Sequence, residues 1–298
     1  MSASDENPIL HSEVHYFTSA AVGSEFRILI GKAGLTEDAT PVVLYLPDAD
    51  QSFGGVMNVL AGLRWAGYVP PTLVVGIGYR VQDEAETLAP RSRDLTPSTY
   101  QGDTEWPSGG APQFLQFIRD ELKPWVATMF DVDPDDDVYF GFSYGGLFGT
   151  YVLLTQPDTF KRYGIASPSL WFNAYSMFEL EAAYATSHDD LVAKVYFSVG
   201  GLETPEGNGI HEAWLRDKRA ATEAQAGAEV ERIGEFNMVE DMQRMVAVLK
   251  SRAFPGLTLD SEVLHDEFHL TGGFAQFSHG MRYLFGAPLK VQPPITRS

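Results

Sequence analysis

Few residues of this chain have a type and spacing that could do chemistry, and the clearest is a serine. With no cysteine among 298 residues, disulfides, Cys-ligated zinc and thiol nucleophiles are excluded, so a nucleophile must be Ser, Thr, Lys or a carboxylate. Gly141 to Gly146 read G-F-S-Y-G-G, a G-x-S-x-G pattern between an apolar run and a helix-like run. There a strand must turn sharply into a helix at Ser143. The turn forces the serine into a strained backbone and presents its hydroxyl at the edge of a sheet, while the glycines let neighbouring chain come close. The helix that follows aims its positive end at the same spot, where the oxygen of a tetrahedral intermediate would carry negative charge. The chemistry this serves is acyl transfer, with the backbone N–H of Tyr144 as one oxyanion donor.

A second donor is expected from the loop after an earlier strand. Leu46 to Gly55 read L-P-D-A-D-Q-S-F-G-G, which points to the backbone of Ala49 or Asp50. The side chains of Asp48 and Asp50 are equally expected as turn formers and helix caps. The chain order Ser, acid, His of this architecture places the base late. Of His265, His269 and His279, only His269 lies in a loop, H-D-E-F-H-L-T-G-G, from which it could reach the serine. His265 and His279 are expected at a strand end and within a helix. The acid that orients the imidazole is expected at the end of the strand Val195 to Val199, where G-G-L-E-T puts Glu203. Glu206 in the same loop, or an acid-free Ser–His dyad, stays open.

The elements that must position these groups follow from hydrophobic periodicity. Glu13 to Ser19 and Glu25 to Lys32 alternate around a glycine and predict an antiparallel hairpin. Val42 to Leu46, Thr72 to Ile77, Val138 to Phe142 and Val195 to Val199 are short apolar runs of the kind buried on both faces of a parallel sheet. Helical stretches run from Val56 to Trp65, Ala111 to Phe130, Gly145 to Leu154, Val239 to Arg252 and Gly273 to Phe285, and a last strand from Leu257 to Leu264. Pro124 is expected to kink its helix. Strand and helix alternate, which predicts an α/β-hydrolase fold: a mainly parallel central sheet with helices on both faces and an N-terminal antiparallel hairpin. One domain over 1–298 is expected. Two stretches without a clear pattern, about 79–110 and 201–236, are expected to form the walls of a cleft. Trp106 in the first and Trp171 beyond the nucleophile helix are candidates to flank a substrate.

Composition narrows the partners. A net charge of −19 repels phosphate backbones and anionic lipid, so no nucleic acid or membrane partner is expected. Met1 to Pro8 is polar and acidic without the basic-then-apolar pattern of a secretory signal, and a cytoplasmic location is expected. Asp131 to Asp137 (D-V-D-P-D-D-D) lacks the glycine and terminal glutamate of a calcium loop, and Gly76-Ile77-Gly78 lacks the third glycine of a dinucleotide fingerprint. No metal or cofactor is expected.

With these residues in hand, the chain resembles the esterase family of α/β hydrolases that includes the enterochelin (siderophore) esterases and is distantly similar to esterase D and the mycolyltransferases. The matching pieces are Y-L-P-D-A-D at Tyr45 to Asp50, R-D-L-T-P at Arg93 to Pro97, G-G-A at Gly109 to Ala111, F-S-Y-G-G-L-F at Phe142 to Phe148, S-P-S-L-W at Ser167 to Trp171, N-M-V-E-D at Asn237 to Asp241 and E-F-H at Glu267 to His269. The resemblance implies that Ser143 and His269 are catalytic and that an acid sits near the G-G-L-E turn. It departs from the family's pattern at Ala49, where glycine is common, and at Phe142. Some siderophore-esterase relatives are thought to work without the acid. The expected activity is cleavage of a small-molecule carboxylic ester through an acyl-enzyme. The rivals are an acyltransferase on the same site and a non-catalytic binding protein on a hydrolase fold.

Overall fold

The structure is a computed structural model and describes residues 12–32, 35, 40–80, 84–102, 106–210 and 236–286. Most of the second patternless stretch, 211–235, and 81–83 and 103–105 of the first therefore lie outside the described residues.

Eight strands form one sheet in the order β1-β2-β4-β3-β5-β6-β7-β8. β1 (Ser12–Ser19) and β2 (Ser24–Gly31) are the expected hairpin, and β2 also runs antiparallel to β4. The remaining neighbours are parallel: β3 (Val42–Leu46), β4 (Thr72–Tyr79), β5 (Asp137–Phe142), β6 (Arg162–Ala166), β7 (Ala193–Gly200) and β8 (Leu257–Leu264). This is the α/β-hydrolase arrangement read from the sequence.

Continuous apolar strands are needed because both faces are covered. In β3, Val43 and Tyr45 enter one core, while Val42, Leu44 and Leu46 enter the other. The second core is closed by α1 (Ala49–Trp65), whose Phe53, Val56, Met57, Leu60 and Leu63 share one face, and by α8 (Gly273–Leu284) through Phe277, Met281 and Leu284. The first core is covered by α3 (Ala111–Gln116), α4 (Lys123–Met129), α5 (Tyr144–Thr155), α6 (Phe172–Ser187) and α7 (Met238–Ser251). α1 starts seven residues before the amphipathic stretch seen in the sequence, because only Pro47 and Asp48 separate it from β3. No helix among the described residues is long and apolar enough to cross a membrane.

Around Pro124 the helical run changes its winding instead of showing the plain kink expected. A π-helical turn, Phe117–Leu122, joins α3 to α4, and Pro124 sits in the first turn of α4. Proline lacks an N–H and its ring crowds the carbonyl four residues back, so a widened turn just before it removes the clash.

Three elements have no counterpart in the periodicity reading. β6 is five residues containing Arg162 and Gly164, too short to show a period. α2 (Glu84–Leu95) lies in the first patternless stretch and carries Pro90. α6 opens with three left-handed residues, Asn173, Ala174 and Tyr175 at φ 50, 54 and 64°, which costs about 1–2 kcal/mol each. Asn173 ties this turn to the connection after α2, donating to Ser98 Oγ (2.8 Å) and accepting from the Gln101 N–H (3.1 Å). The R-D-L-T-P piece is ordered by its own bonds: Arg93 pairs with buried Asp94 (2.7 and 3.0 Å), and Thr96 Oγ accepts from the Gly109 N–H (2.8 Å). Burial pushes the Asp94 carboxyl up despite Arg93 beside it.

The acidic loop before β5 spends its charge locally. Asp136 accepts from Lys161 and Arg162, Asp137 from Lys123 Nζ and the Lys161 N–H, and Asp133 from the Asp135 N–H. Among the described residues no group of three or more His, Asp or Glu side chains converges as metal ligands would.

Candidate active site

Parallel strands all end at one edge, and the loops leaving β5, β6, β7 and β8 meet there. Ser143 sits between β5 and α5 at φ 59°, ψ −117°, a conformation a non-glycine residue holds only when its surroundings impose it. Its N–H donates to the Ala166 carbonyl at the end of β6 (3.0 Å), and its own carbonyl accepts from the Leu147 N–H (2.9 Å). The neighbouring glycines are steric requirements. A Cβ on Gly141 would lie 2.3 Å from the Gly145 carbonyl oxygen and 2.5 Å from the Tyr139 hydroxyl, and one on Gly146 would lie 2.7 Å from the Ala166 carbonyl oxygen. Gly141→Ala is therefore expected to destabilise the fold by about 3 kcal/mol or more, read as a lowered urea midpoint. A midpoint within error of the parent would contradict this close packing.

His269, buried in the loop after β8, makes both of its ring contacts inside the site. Nδ1 lies 2.6 Å from Glu203 Oε2, and Nε2 lies 3.1 Å from Ser143 Oγ. A carboxylate only accepts, so Nδ1 carries the proton and Nε2 is left as the acceptor of the Ser143 hydroxyl. Phe142 packs on the imidazole with ring centroids 4.7 Å apart. Glu203 is buried, and its other oxygen accepts from the Gly200 N–H (2.7 Å) and the Ser167 hydroxyl (2.6 Å). The loops carrying Glu203 and His269 are tied together, since the Gly201 N–H donates to the Leu264 carbonyl (2.7 Å) and the Leu202 N–H to that of Glu267 (3.0 Å). Glu206 is exposed one turn further on. His265 is exposed, and His279 on α8 bonds Glu262 (2.9 Å).

Tyr144 is the first residue of α5, and Ala49 and Asp50 are the first two of α1. The two helix starts adjoin, because a Cβ on Gly145 would lie 3.4 Å from Pro47 Cγ and 3.6 Å from Asp48 Oδ2. The Asp48 and Asp50 side chains differ from the expected helix caps. Asp48 holds a left-handed backbone (φ 56°) and makes no side-chain cap bond, and its carboxylate instead takes a two-pronged pair from Arg91 (2.8 and 3.0 Å). Asp50 accepts from the Tyr79 N–H (2.6 Å) and from Arg27. Arg91 in turn lies over the Tyr144 ring at 5.3 Å. Burial works against its charge, but Asp48 outweighs burial and holds the guanidinium above its ordinary range. Sequence reasoning missed Arg91, since its partner lies 43 residues away and nothing local marks the pair.

Trp171 is buried just before α6, stacked on Phe236 (4.4 Å, 6° between planes) and 6.2 Å from the Tyr144 ring, and its Nε1 has no hydrogen-bond partner among the described residues. It therefore stands next to the serine turn through Tyr144. Trp106 is half-buried in the connection between α2 and α3.

The fold, with a serine, a histidine and a glutamate hydrogen-bonded in series at its strand edge, defines an α/β-hydrolase. The family model described as "Putative esterase" matches residues 36–240, and the chain belongs to that family. Over 177 residues it is 34% identical to the ferri-bacillibactin esterase BesA of Bacillus subtilis, covering 54% of this chain and 60% of that protein. Over 122 residues it is 34% identical to the siderophore triacetylfusarinine C esterase of Aspergillus fumigatus, covering 39% and 41%. These matches thus span under two thirds of the relatives' own length. Among solved structures, the BES protein from Bacillus cereus superposes with a TM-score of 0.75 at 24% identity, covering 95% of this chain and 98% of that one. The siderophore hydrolase EstA from Aspergillus nidulans does so with a TM-score of 0.75 at 22% identity, covering 94% and 97%. These likenesses carry the fold.

Proposed function

We propose that the protein hydrolyses small-molecule carboxylic esters through an acyl-enzyme on Ser143. The observation that carries this reading is the unbroken relay from Glu203 through His269 to Ser143. In the first half-reaction His269 Nε2 takes the Ser143 proton as Oγ attacks the ester carbonyl, and the resulting imidazolium is stabilised by the Glu203 carboxylate. Backbone N–H groups of Tyr144 and of Ala49 or Asp50 hold the oxyanion. His269 then returns the proton to the leaving alcohol. Water, deprotonated by the same nitrogen, attacks the acyl-enzyme, and His269 gives that proton to Ser143 Oγ as the bond to the acyl group breaks and the carboxylic acid leaves. Trp171 and Trp106 flank the substrate in this reading.

The names of the relatives point to the substrate class, since the Aspergillus fumigatus protein is named a siderophore triacetylfusarinine C esterase and BesA a ferri-bacillibactin esterase. We infer that this chain also takes a siderophore ester. A panel of aryl esters of increasing acyl length beside a cyclic triester siderophore and a feruloyl ester tests it. A kcat/KM highest for the siderophore supports the inference, and one highest for a simple short-chain ester overturns it.

A histidine base also sets the pH profile. kcat/KM should rise with pH along one limb, because only the neutral ring accepts from the Ser143 hydroxyl. A rate that stays flat between about pH 5 and 8 would count against a histidine base.

A further inference from the structure

Behind Glu203 lies a polar network that the reaction above does not use. Ser167, Ser198 and Gln276 are fully buried at the ends of β6 and β7 and in the first turn of α8. Gln276 Nε2 donates to Ser167 Oγ (2.9 Å), and Gln276 Oε1 accepts from the Ser198 hydroxyl (2.9 Å). Ser167 Oγ lies 2.6 Å from Glu203 Oε1 and 3.2 Å from Gln276 Oε1. Ser167 itself is held at φ 39°, with its N–H on the Ser198 carbonyl (2.7 Å).

A hydroxyl has one proton to give, and here its direction is determined. The Gln276 amide already donates to Ser167 Oγ, so the oxygen presents a lone pair to Gln276 and its hydrogen to Glu203. The opposite orientation would set a hydroxyl lone pair against a carboxylate in a region that water does not reach, where unpaired polar groups are most costly. The chain of donors thus runs one way, from Gln276 to Ser167 to Glu203. With Oε1 filled by Ser167 and the Gly200 N–H, only Oε2 is left for His269.

We infer that Ser167 and Gln276 are positioning residues of the acyl-transfer reaction. Gln276 orients the Ser167 hydroxyl, and that hydroxyl locks the Glu203 carboxylate so that His269 is held with its Nε2 lone pair on Ser143. The inference rests on the proposed esterase reading and acts through its acid.

The experiment compares Ser167→Ala, Gln276→Met and their double variant, with Glu203→Gln as reference, using p-nitrophenyl acetate turnover and the far-downfield proton resonance of an imidazole N–H held by a carboxylate. Gln276→Met keeps the buried volume, so it serves where Ser167→Ala folds poorly. Each single variant should lower kcat by roughly 10- to 100-fold, the loss expected for one bond to a charged group, with KM changed by less than about threefold. The resonance should move. The double variant should be no slower than Ser167→Ala alone, because both substitutions break the same chain. Unchanged kcat in both single variants while Glu203→Gln is slow overturns the inference and leaves the esterase reading standing. Additive losses with an unmoved resonance also overturn it, since they describe two separate packing defects. Full activity of Glu203→Gln overturns the inference together with the role of the acid.

Discussion

Ser143→Ala is expected to lower the turnover of p-nitrophenyl acetate by about 10⁴-fold or more, the loss seen when a nucleophile that works as a unit with its base is removed. The folded state should change by about 1 kcal/mol or less, because the side chain is small and, among the described residues, its hydroxyl pairs with the His269 ring alone. The strain at φ 59° belongs to the backbone and persists in alanine. Activity and thermal unfolding of one preparation separate the two effects. Retained turnover with a folded protein would remove Ser143 as the nucleophile, and labelling of the parent by a fluorophosphonate probe gives an independent reading of the same atom.

The second large effect concerns the acid. Glu203→Gln keeps the shape of the side chain but removes the charge that stabilises the imidazolium. A neutral amide can also present its N–H to Nδ1 and favour the wrong tautomer. The expected loss in kcat is on the order of 10² to 10⁴. Glu206→Gln should cost less than about threefold, as for an exposed carboxylate. Reversed results would make Glu206 the acid, and near-full activity in both variants would mean a Ser–His dyad with another group orienting His269.

The comparison of these two glutamates shows where sequence reading stops. They are three residues apart after β7, Glu203 before a helical turn and Glu206 within it, and both satisfy the chain order of the architecture. What separates them is only partly local. The Glu203 carboxylate accepts from Gly200 three residues back and from Ser167 just beyond the end of β6, and the Glu203 carbonyl accepts from the Met238 N–H at the start of α7. Gly200 belongs to the G-G-L-E piece itself, but neither Ser167 nor Met238 can be inferred from the spacing of residues around it. The missed elements have a related cause. β6 is covered on both sides by β5 and β7, so its five residues need no period and no strong strand former of their own. α2 carries Pro90 and is tied to distant parts of the chain by Arg91, which pairs with Asp48, and by Arg93, which donates to Ser24 Oγ, contacts that its weak helical pattern does not announce.

What the amino-acid sequence determined by itself rests on interactions that span only a few residues. The hairpin, the buried strand runs, the strand–serine–helix turn at Ser143 and the placement of His269 in a loop after the last strand all follow from periodicity, glycine and chain order. The tertiary structure alone decided which carboxylate meets His269, that Arg91 grips Asp48 beside the serine turn, and that Gln276, 109 residues from Ser167 in the chain, completes the network behind Glu203. Local pattern specifies an element because its causes are neighbours in the chain. A hydrogen-bond partner across the sheet edge is specified only when the strands have closed and water has been excluded, because burial is what makes one polar pairing favourable and its alternatives costly.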